Sequence, residues 1–388
     1  MVKIIVDIWL LSLVLVAILI GWIVGRWMPA PKISTSNTAK NYSESYVKGL
    51  NYLLADDSSK AIETFSELIK VNADTVETHI VLGNLFRSRG EVDRAIKIHQ
   101  NLLARPDLNR KQRNLTVGEL ANDYLKAGLL DRAEALFKEM IQLKPDDLGV
   151  CQKLLDLYIT EKSWNEATDC AKILYDRGDP GAAVILSHCY CELADSAMKI
   201  GNNKLVRESL TRALEIDRAC VRAALLFIKH HLDLNNAGAA KKLIRQLIKL
   251  NPEYINLYIA PAKEIYIQAN EPNAYQNFLQ DQNKKNPSTQ LAIALIEHYA
   301  SINQIEKARE FLSDVLKQSP SFEAFEFALR FLKSDTANLS ETWESLSKFL
   351  LSMQDKKIEY VCSFCGYESH AIQWNCPSCR HWSTMKPV

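Results

Sequence analysis

The chain has 388 residues, with 47 basic and 46 acidic side chains and a formal charge of +1, so it lacks the basic excess of a duplex-binding protein. Gly and Pro are scarce, at 13 and 12, and with abundant Ala, Leu, Lys and Glu this favours helix over sheet. Nine cysteines, an odd number without framework spacing, exclude a secreted disulfide scaffold and point to a reducing compartment.

The first element is apolar. Ile8 to Val24 is a run of 17 residues without charge, and twelve of them are Leu, Ile or Val. On an insertion scale, side chains of that kind together contribute about −4 to −7 kcal/mol. Extended back to Ile4, the run makes about 31 Å of helix, the thickness of a hydrocarbon core. Trp9, Trp22 and Trp27 fall where interfacial aromatics belong. The run is too long for a signal-peptide core, and no small-residue cleavage pattern follows. Residues 1–28 are therefore expected to be a single transmembrane anchor. Arg26, Lys32 and Lys40 follow it, whereas Asp7 offsets the charge of Lys3 and the α-amine before it. The positive-inside rule then puts the rest of the chain in the cytoplasm. Residues 29–41, polar and opened by two prolines, read as a linker.

Residues 42–353 carry a repeat. Gly83, Phe86, Gly90, Ala95 and Pro106 mark one helix–turn–helix copy, and Ala121, Tyr124, Gly128, Ala133, Phe137 and Pro145 mark the next. Aligning the small residue of each second helix gives Ala61, Ala95, Ala133, Ala167, Ala240 and Ala308, with gaps of 34, 38, 34, 73 and 68. A period near 34 is that of the tetratricopeptide repeat, in which large side chains of one helix fill the notch left by Ala on the other. One such hairpin cannot bury its apolar stripe, so neighbours must stack into a solenoid. The long gaps are expected to hide degenerate units at Gly181 to Cys220 and Ile255 to Ser288. That makes about eight helical pairs, then a final helix or pair between Phe322 and Met353 that caps the stack. In such arrays the first helices form the partner-binding groove. Candidate groove residues are Asn84, Arg87, Asn122 and Lys126, together with Tyr46, Ile80, Gln152, Asp156, Arg222 and Lys229. The Asn amides can grip a peptide backbone with both donor and acceptor. Cys151, Cys170, Cys189, Cys191 and Cys220 lie in helical stretches and read as small buried hydrophobes.

The end of the chain, residues 358–388, is a metal-knuckle sequence. Cys362-Ser-Phe-Cys365-Gly366 is followed after ten residues by Cys376-Pro377-Ser378-Cys379. Two such turns place four thiolates around one ion, iron or zinc, with every position filled by protein. A filled shell leaves no place for a water nucleophile, so the ion is expected to be structural. Tyr360, Phe364, Tyr367, Trp374 and Trp382 exceed what so small a core needs, and some of them are expected to dock the module on the last solenoid helices. His370 and His381 read as surface residues. Phosphate-loop, dinucleotide, zincin and nucleophile-elbow motifs are missing from the sequence, so it is read as non-enzymatic.

Anchor, tetratricopeptide solenoid and terminal Cys362-x-x-Cys365-Gly366…Cys376-Pro377-x-Cys379 together resemble the lipopolysaccharide assembly protein B family over essentially the whole chain. The resemblance implies an all-α inner-membrane protein with a rubredoxin-like or zinc-ribbon end, its bulk on the cytoplasmic side. It also implies an adaptor that promotes degradation of the lipid A deacetylase LpxC by the membrane protease FtsH and answers to an inner-membrane lipopolysaccharide-sensing protein. The metal-binding role carries over to Cys362, Cys365, Cys376 and Cys379. One departure is Arg380, where a rubredoxin knuckle usually has Gly. No nucleic acid is implied, and self-association is left open. The alternatives from the residues alone are a rubredoxin-like electron carrier and an RNA-binding zinc-ribbon scaffold, the latter drawn from Lys356, Lys357, Arg380 and Lys386.

Overall fold

A computed structural model of the chain describes residues 16–23, 35–55, 57–71, 76–144, 147–318, 321–333 and 358–388. They fall into two compact units, Met1–Pro145 and Asp146–Val388. Most of the expected anchor lies outside the described residues. Of it, 16–23 is helical (α1), with Val16, Ile18, Leu19, Ile20 and Trp22 exposed. No helix among the described residues is long and apolar enough to cross a membrane.

The first unit continues with α2 (Thr35–Leu54), α3 (Ser58–Val71), α4 (Val76–Ser88), α5 (Val92–Leu103), α6 (Arg110–Lys126) and α7 (Leu130–Leu143). Helix α2 starts inside the stretch expected as linker. The two prolines of that stretch, Pro29 and Pro31, both precede Thr35, and nothing after them removes a backbone donor. The second unit contains α8 (Leu148–Glu161), α9 (Trp164–Asp176), α10 (Ala182–Lys199), α11 (Asn203–Ile216), α12 (Val221–Asp233) and α13 (Ala237–Leu250). A 3₁₀ turn (Pro252–Tyr254) then leads to α14 (Ile255–Gln268), α15 (Pro272–Lys285), α16 (Thr289–Ser301), α17 (Ile305–Gln318) and α18 (Phe322–Lys333). Consecutive helices pack as hairpins from α2–α3 to α16–α17, with α18 closing against α16 and α17. The tetratricopeptide-like reading of the helices holds.

The notch alanines are where the repeat needs them. Ala61, Ala95, Ala133, Ala167, Ala240 and Ala308 each sit at the fourth residue of a second helix and are fully buried. The two degenerate units are hairpins α10–α11 and α14–α15, and at the same fourth position they carry Val206 and Tyr275, also buried. Tyr275 fills its larger notch against Tyr266 at 5.7 Å, with the His298 ring edge-on at 5.1 Å. Turns inside the hairpins use a left-handed residue, supplied by Gly90 and Gly128 in the first unit and by Gly201, Asn235, Asn270 and Asn303 in the second. Asn tolerates this region because its short side chain bonds locally. Lys162 takes it with φ +59 and no such help.

Helices α4 and α5 pack closely at Gly83. A Cβ added at Gly83 would lie 2.3 Å from Nε2 of the buried His99 ring. Gly83→Ala should therefore destabilise the first unit by about 1–3 kcal/mol, the usual penalty of overpacking. Urea unfolding checks this, and a midpoint equal to wild type would mean that the His99 ring moves aside freely.

Three strands follow the helices: β1 (Tyr360–Cys362), β2 (Glu368–Ser369) and β3 (Met385–Pro387), in the order β2-β1-β3, all antiparallel. Val361 pairs with Glu368 on one side and with Lys386 on the other. So short a sheet cannot hold itself by apolar burial; its core is Tyr360, Met385 and the sulfurs of Cys362 and Cys376.

Candidate metal centre

Each Cys-x-x-Cys run folds into a tight turn closed by the same backbone bond. Gly366 N donates to Cys362 O at 2.9 Å, and Arg380 N donates to Cys376 O at 2.7 Å. The residue after each pair is left-handed, Gly366 at φ +75 and Arg380 at φ +59. Arg380 thus takes the backbone conformation that glycine supplies in the first knuckle, at roughly 1–2 kcal/mol for a residue with a Cβ. Sheet bonds brace the turns from behind: Cys362 N donates to Tyr367 O at 2.8 Å and Cys376 N to His381 O at 2.9 Å.

The four sulfurs face one another. Cys362 and Cys379 Sγ are 3.7 Å apart, as are Cys365 and Cys376, and all four lie within 4.8 Å of one another. A tetrahedron with Zn–S bonds of about 2.3 Å has S···S edges of about 3.8 Å. The set therefore fits a single tetrahedral thiophilic ion. The Thr384 hydroxyl, 3.3 Å from Cys362, pulls that thiol's pKa down to about 6, while burial pushes Cys379 up to about 12. His370 and His381 are exposed and outside the cluster; His381 stacks on Phe364 at 3.9 Å.

The ribbon is seated on helices of the second unit. It lies against first helices of earlier hairpins and the 3₁₀ turn. Trp382 stacks on His188 of α10 at 4.7 Å, and Ser383 Oγ is 2.7 Å from His188 Nε2. Trp374 joins the large apolar cluster of the second unit, and Leu257 of α14 packs under the ribbon core. Tyr254 O–H donates to the carbonyl of Met385 at 2.9 Å, and Lys386 reaches Glu253 at 3.2 Å. A cleft of about 590 Å³ separates Gln152, Asp156, Val184 and Ile185 from Arg380 and Trp382. Burial there raises the Asp156 carboxyl above its usual range, opposed by Lys153 and Arg380. The expectation that ribbon aromatics dock holds for Trp374 and Trp382. Among the described residues the partners are His188, Tyr254 and Leu257, earlier in the array than expected, and the part of the expected last helices at 334–353 lies outside the described residues. Phe364 stays exposed.

A model of the rubredoxin metal binding domain matches residues 360–387, a tetratricopeptide-repeat model matches 78–112, and a PPR-repeat model matches 120–144. Lipopolysaccharide assembly protein B of Escherichia coli strain K12 is 30% identical over 381 residues, covering 96% of both chains. The protein of that name from Haemophilus influenzae is 32% identical over 382 residues, 95% of both chains. The chain belongs to the lipopolysaccharide assembly protein B family. Solved structures that it resembles include MamA from Desulfovibrio magneticus, at 16% identity and TM-score 0.35, matching 48% of this chain and 98% of that one. PilF of Pseudomonas aeruginosa matches 56% of this chain and 95% of that one, at 17% identity and TM-score 0.33.

In this member of the lipopolysaccharide assembly protein B family, the candidate groove residues part ways. Asn84 and Asn122 are half-buried on α4 and α6, and Asn84 Oδ1 is buried without a hydrogen-bond partner. Lys126 is exposed at the end of α6. Arg87 is held from within, its guanidinium 2.8 Å from Asp123 Oδ1 and 2.7 Å from Glu119 Oε2. The other Asp123 oxygen meets Nδ1 of His99 at 2.5 Å, and both of those side chains are fully buried. This chain of charges ties α4, α5 and α6 together, and sequence reasoning missed it. Tyr46 and Ile80 are core residues: Tyr46 sits edge-on to Phe65 at 5.6 Å, and Ile80 packs with Val76 and Leu102. Arg222 bonds Glu192 of α10 at 2.8 Å, whereas Lys229 is exposed.

Proposed function

We propose that this chain is a membrane-anchored, non-enzymatic adaptor in the control of lipopolysaccharide assembly, bringing LpxC to FtsH for degradation. The observation that carries the reading is likeness over 95–96% of the chain, solenoid and ribbon included, to proteins named for lipopolysaccharide assembly. In this reading residues 1–28 span the inner membrane, with 29 onward on the cytoplasmic side. Tethering raises the effective concentration of the solenoid near a membrane protease without any new contact. A lipopolysaccharide-sensing membrane protein would set its activity.

Cys362, Cys365, Cys376 and Cys379 would hold one iron or zinc ion. Its work would be to fold the ribbon, since four thiolates leave no open position for substrate. Asn84, Asn122 and Lys126 on the first-helix face of the first unit are the residues offered for partner binding, with Arg87 beneath them holding that face in shape.

In-cell crosslinking of the full-length protein, followed by mass spectrometry, tests the adaptor reading. Both a membrane protease and a lipid A enzyme should be recovered from wild type and lost from a Cys362→Ser/Cys365→Ser variant. Recovery of oxidoreductases or RNA in their place would sink it. Removing Met1 to Met28 should leave a soluble chain that retains little function, because local concentration falls. Full complementation by that truncation would show that no anchor is needed.

A further inference from the structure

A second cluster of metal-ligating side chains lies outside the ribbon. His188 and Cys191 are one turn apart on α10, so they share a face. Cys220, the residue before α12, turns toward them. One ligand atom from each of the three lies within 4.8 Å of the others, and all three side chains are buried, at 1%, 0% and 2% exposure.

Burial alone explains a cysteine. It does not explain the histidine. His188 Nδ1 is buried with no hydrogen-bond partner, a loss of about 1–3 kcal/mol for a nitrogen that water would otherwise satisfy. Its other nitrogen, Nε2, lies 2.7 Å from Ser383 Oγ. With the proton on Nε2 donated to that hydroxyl, Nδ1 carries a bare lone pair. A metal-bound imidazole is arranged in this way, with one nitrogen on the ion and the other bonded to an oxygen that fixes the ring. Burial, with the Arg222 charge nearby, lowers the His188 pKa to about 3, which keeps the ring in its neutral, ligating form.

The two thiols are coupled. The Cys191–Cys220 hydrogen bond draws the Cys220 pKa down to about 7 and, with burial, pushes Cys191 well up. Ser187, bonded to Ala213 O at 3.1 Å, places a hydroxyl beside Cys220.

We propose that His188, Cys191 and Cys220 form a second, buried site for a thiophilic d¹⁰ ion, zinc(II) foremost, separate from the four-cysteine knuckle. Two thiolates, a neutral imidazole and a dication sum to zero charge, so the complex escapes the penalty of burying net charge. Binding releases the two thiol protons and leaves the cation's charge fully balanced. Closing from within 4.8 Å to tetrahedral spacing asks for at most about 1 Å of side-chain movement. Ser187 Oγ stands by for the fourth position. Because Ser383 belongs to the ribbon, an ion here fixes the ring on which Trp382 stacks, and so couples α10 and α12 to the ribbon's seat.

The test is metal content of the full-length protein, purified reduced, saturated with zinc(II) and dialysed, alongside a free-thiol count. Wild type should hold two zinc ions per chain. Cys191→Ala/Cys220→Ala should hold one, and Cys362→Ser/Cys365→Ser should hold one. Cobalt(II) in place of zinc should give Cys362→Ser/Cys365→Ser a sulfur-to-cobalt band, and adding Cys191→Ala/Cys220→Ala to that variant should remove it. One zinc in wild type overturns the proposal without recourse to any variant. So does a wild type with one zinc and two thiols lost to a Cys191–Cys220 disulfide, and so does an unchanged count of two in Cys191→Ala/Cys220→Ala.

Discussion

Asp123→Ala should destabilise the first unit by about 3–5 kcal/mol, the usual effect of removing one partner from a buried charge pair. Asp123 is fully buried, one oxygen on His99 and the other on Arg87. Truncation strips His99 of its remaining partner, since Nε2 already has none. Arg87 keeps Glu119, so the loss concentrates at the α5–α6 contact. In a stack of repeats each hairpin leans on its neighbours alone, so the failure should be local. Hydrogen exchange should speed up across 76–126 and much less in α12 to α16. Asp123→Asn, which retains an acceptor for one of the two partners, should lose less. A melting midpoint within experimental error of wild type for Asp123→Ala would mean that water replaces the carboxylate and that the network contributes nothing net.

The contrast between Arg87 and the notch alanines shows what the sequence could and could not carry. Ala61, Ala95 and Ala133 recur at nearly fixed spacing because each fills the same notch in the same hairpin, and a periodic constraint leaves a periodic trace. Arg87 was assigned to the groove from its place on a first helix. Its partners are 32 and 36 residues away on another hairpin, and nothing in their spacing marks them. The one available signal was Asp123 itself, a carboxylate between Ala121 and Tyr124 on the stripe that must be buried. The degenerate units hid for a different reason. Val206 and Tyr275 solve the notch with a larger side chain, and in α14–α15 Asn270 makes the turn that Gly90 and Gly128 make earlier, while α10–α11 keeps a glycine, Gly201. A residue-type pattern misses such substitutions, whereas a volume or backbone criterion would not.

The four-cysteine set was legible because tetrahedral coordination imposes local spacing. The ribbon's seat was not, since His188 and Ser383 are separated by 195 residues. The excess of aromatics foretold that some surface would receive them, but not which one. The His188–Cys191–Cys220 cluster left a fainter trace. His188-x-x-Cys191 puts two ligand types on one helical face, but the third lies at the start of another helix.

Removing the ribbon's ion should have the largest effect of all. The module of residues 358–388 buries only Tyr360, Met385 and two sulfurs as its own core, far too little to offset the entropy of ordering it. Metal binding to four thiolates supplies on the order of 10 kcal/mol to the folding of so small a domain. In Cys362→Ser/Cys365→Ser, residues 358–388 should therefore lose protection, with trypsin cutting at Arg380. The half-buried Trp374 and Trp382 should shift their emission to the red. The variant isolates this ion better than a chelator does, because a chelator would also strip the His188 cluster. Loss should spread beyond the ribbon, since Trp382 leaves the His188 ring, Tyr254 loses its acceptor at Met385, and Leu257 is uncovered. Hydrogen exchange in α10 and at the start of α14 should thus rise along with the ribbon, while α17 stays slow. A variant in which the ribbon frays but α10 and α14 keep their protection would mean that the seat is a resting place rather than a structural joint. A variant with its ribbon intact would refute the metal's structural role outright.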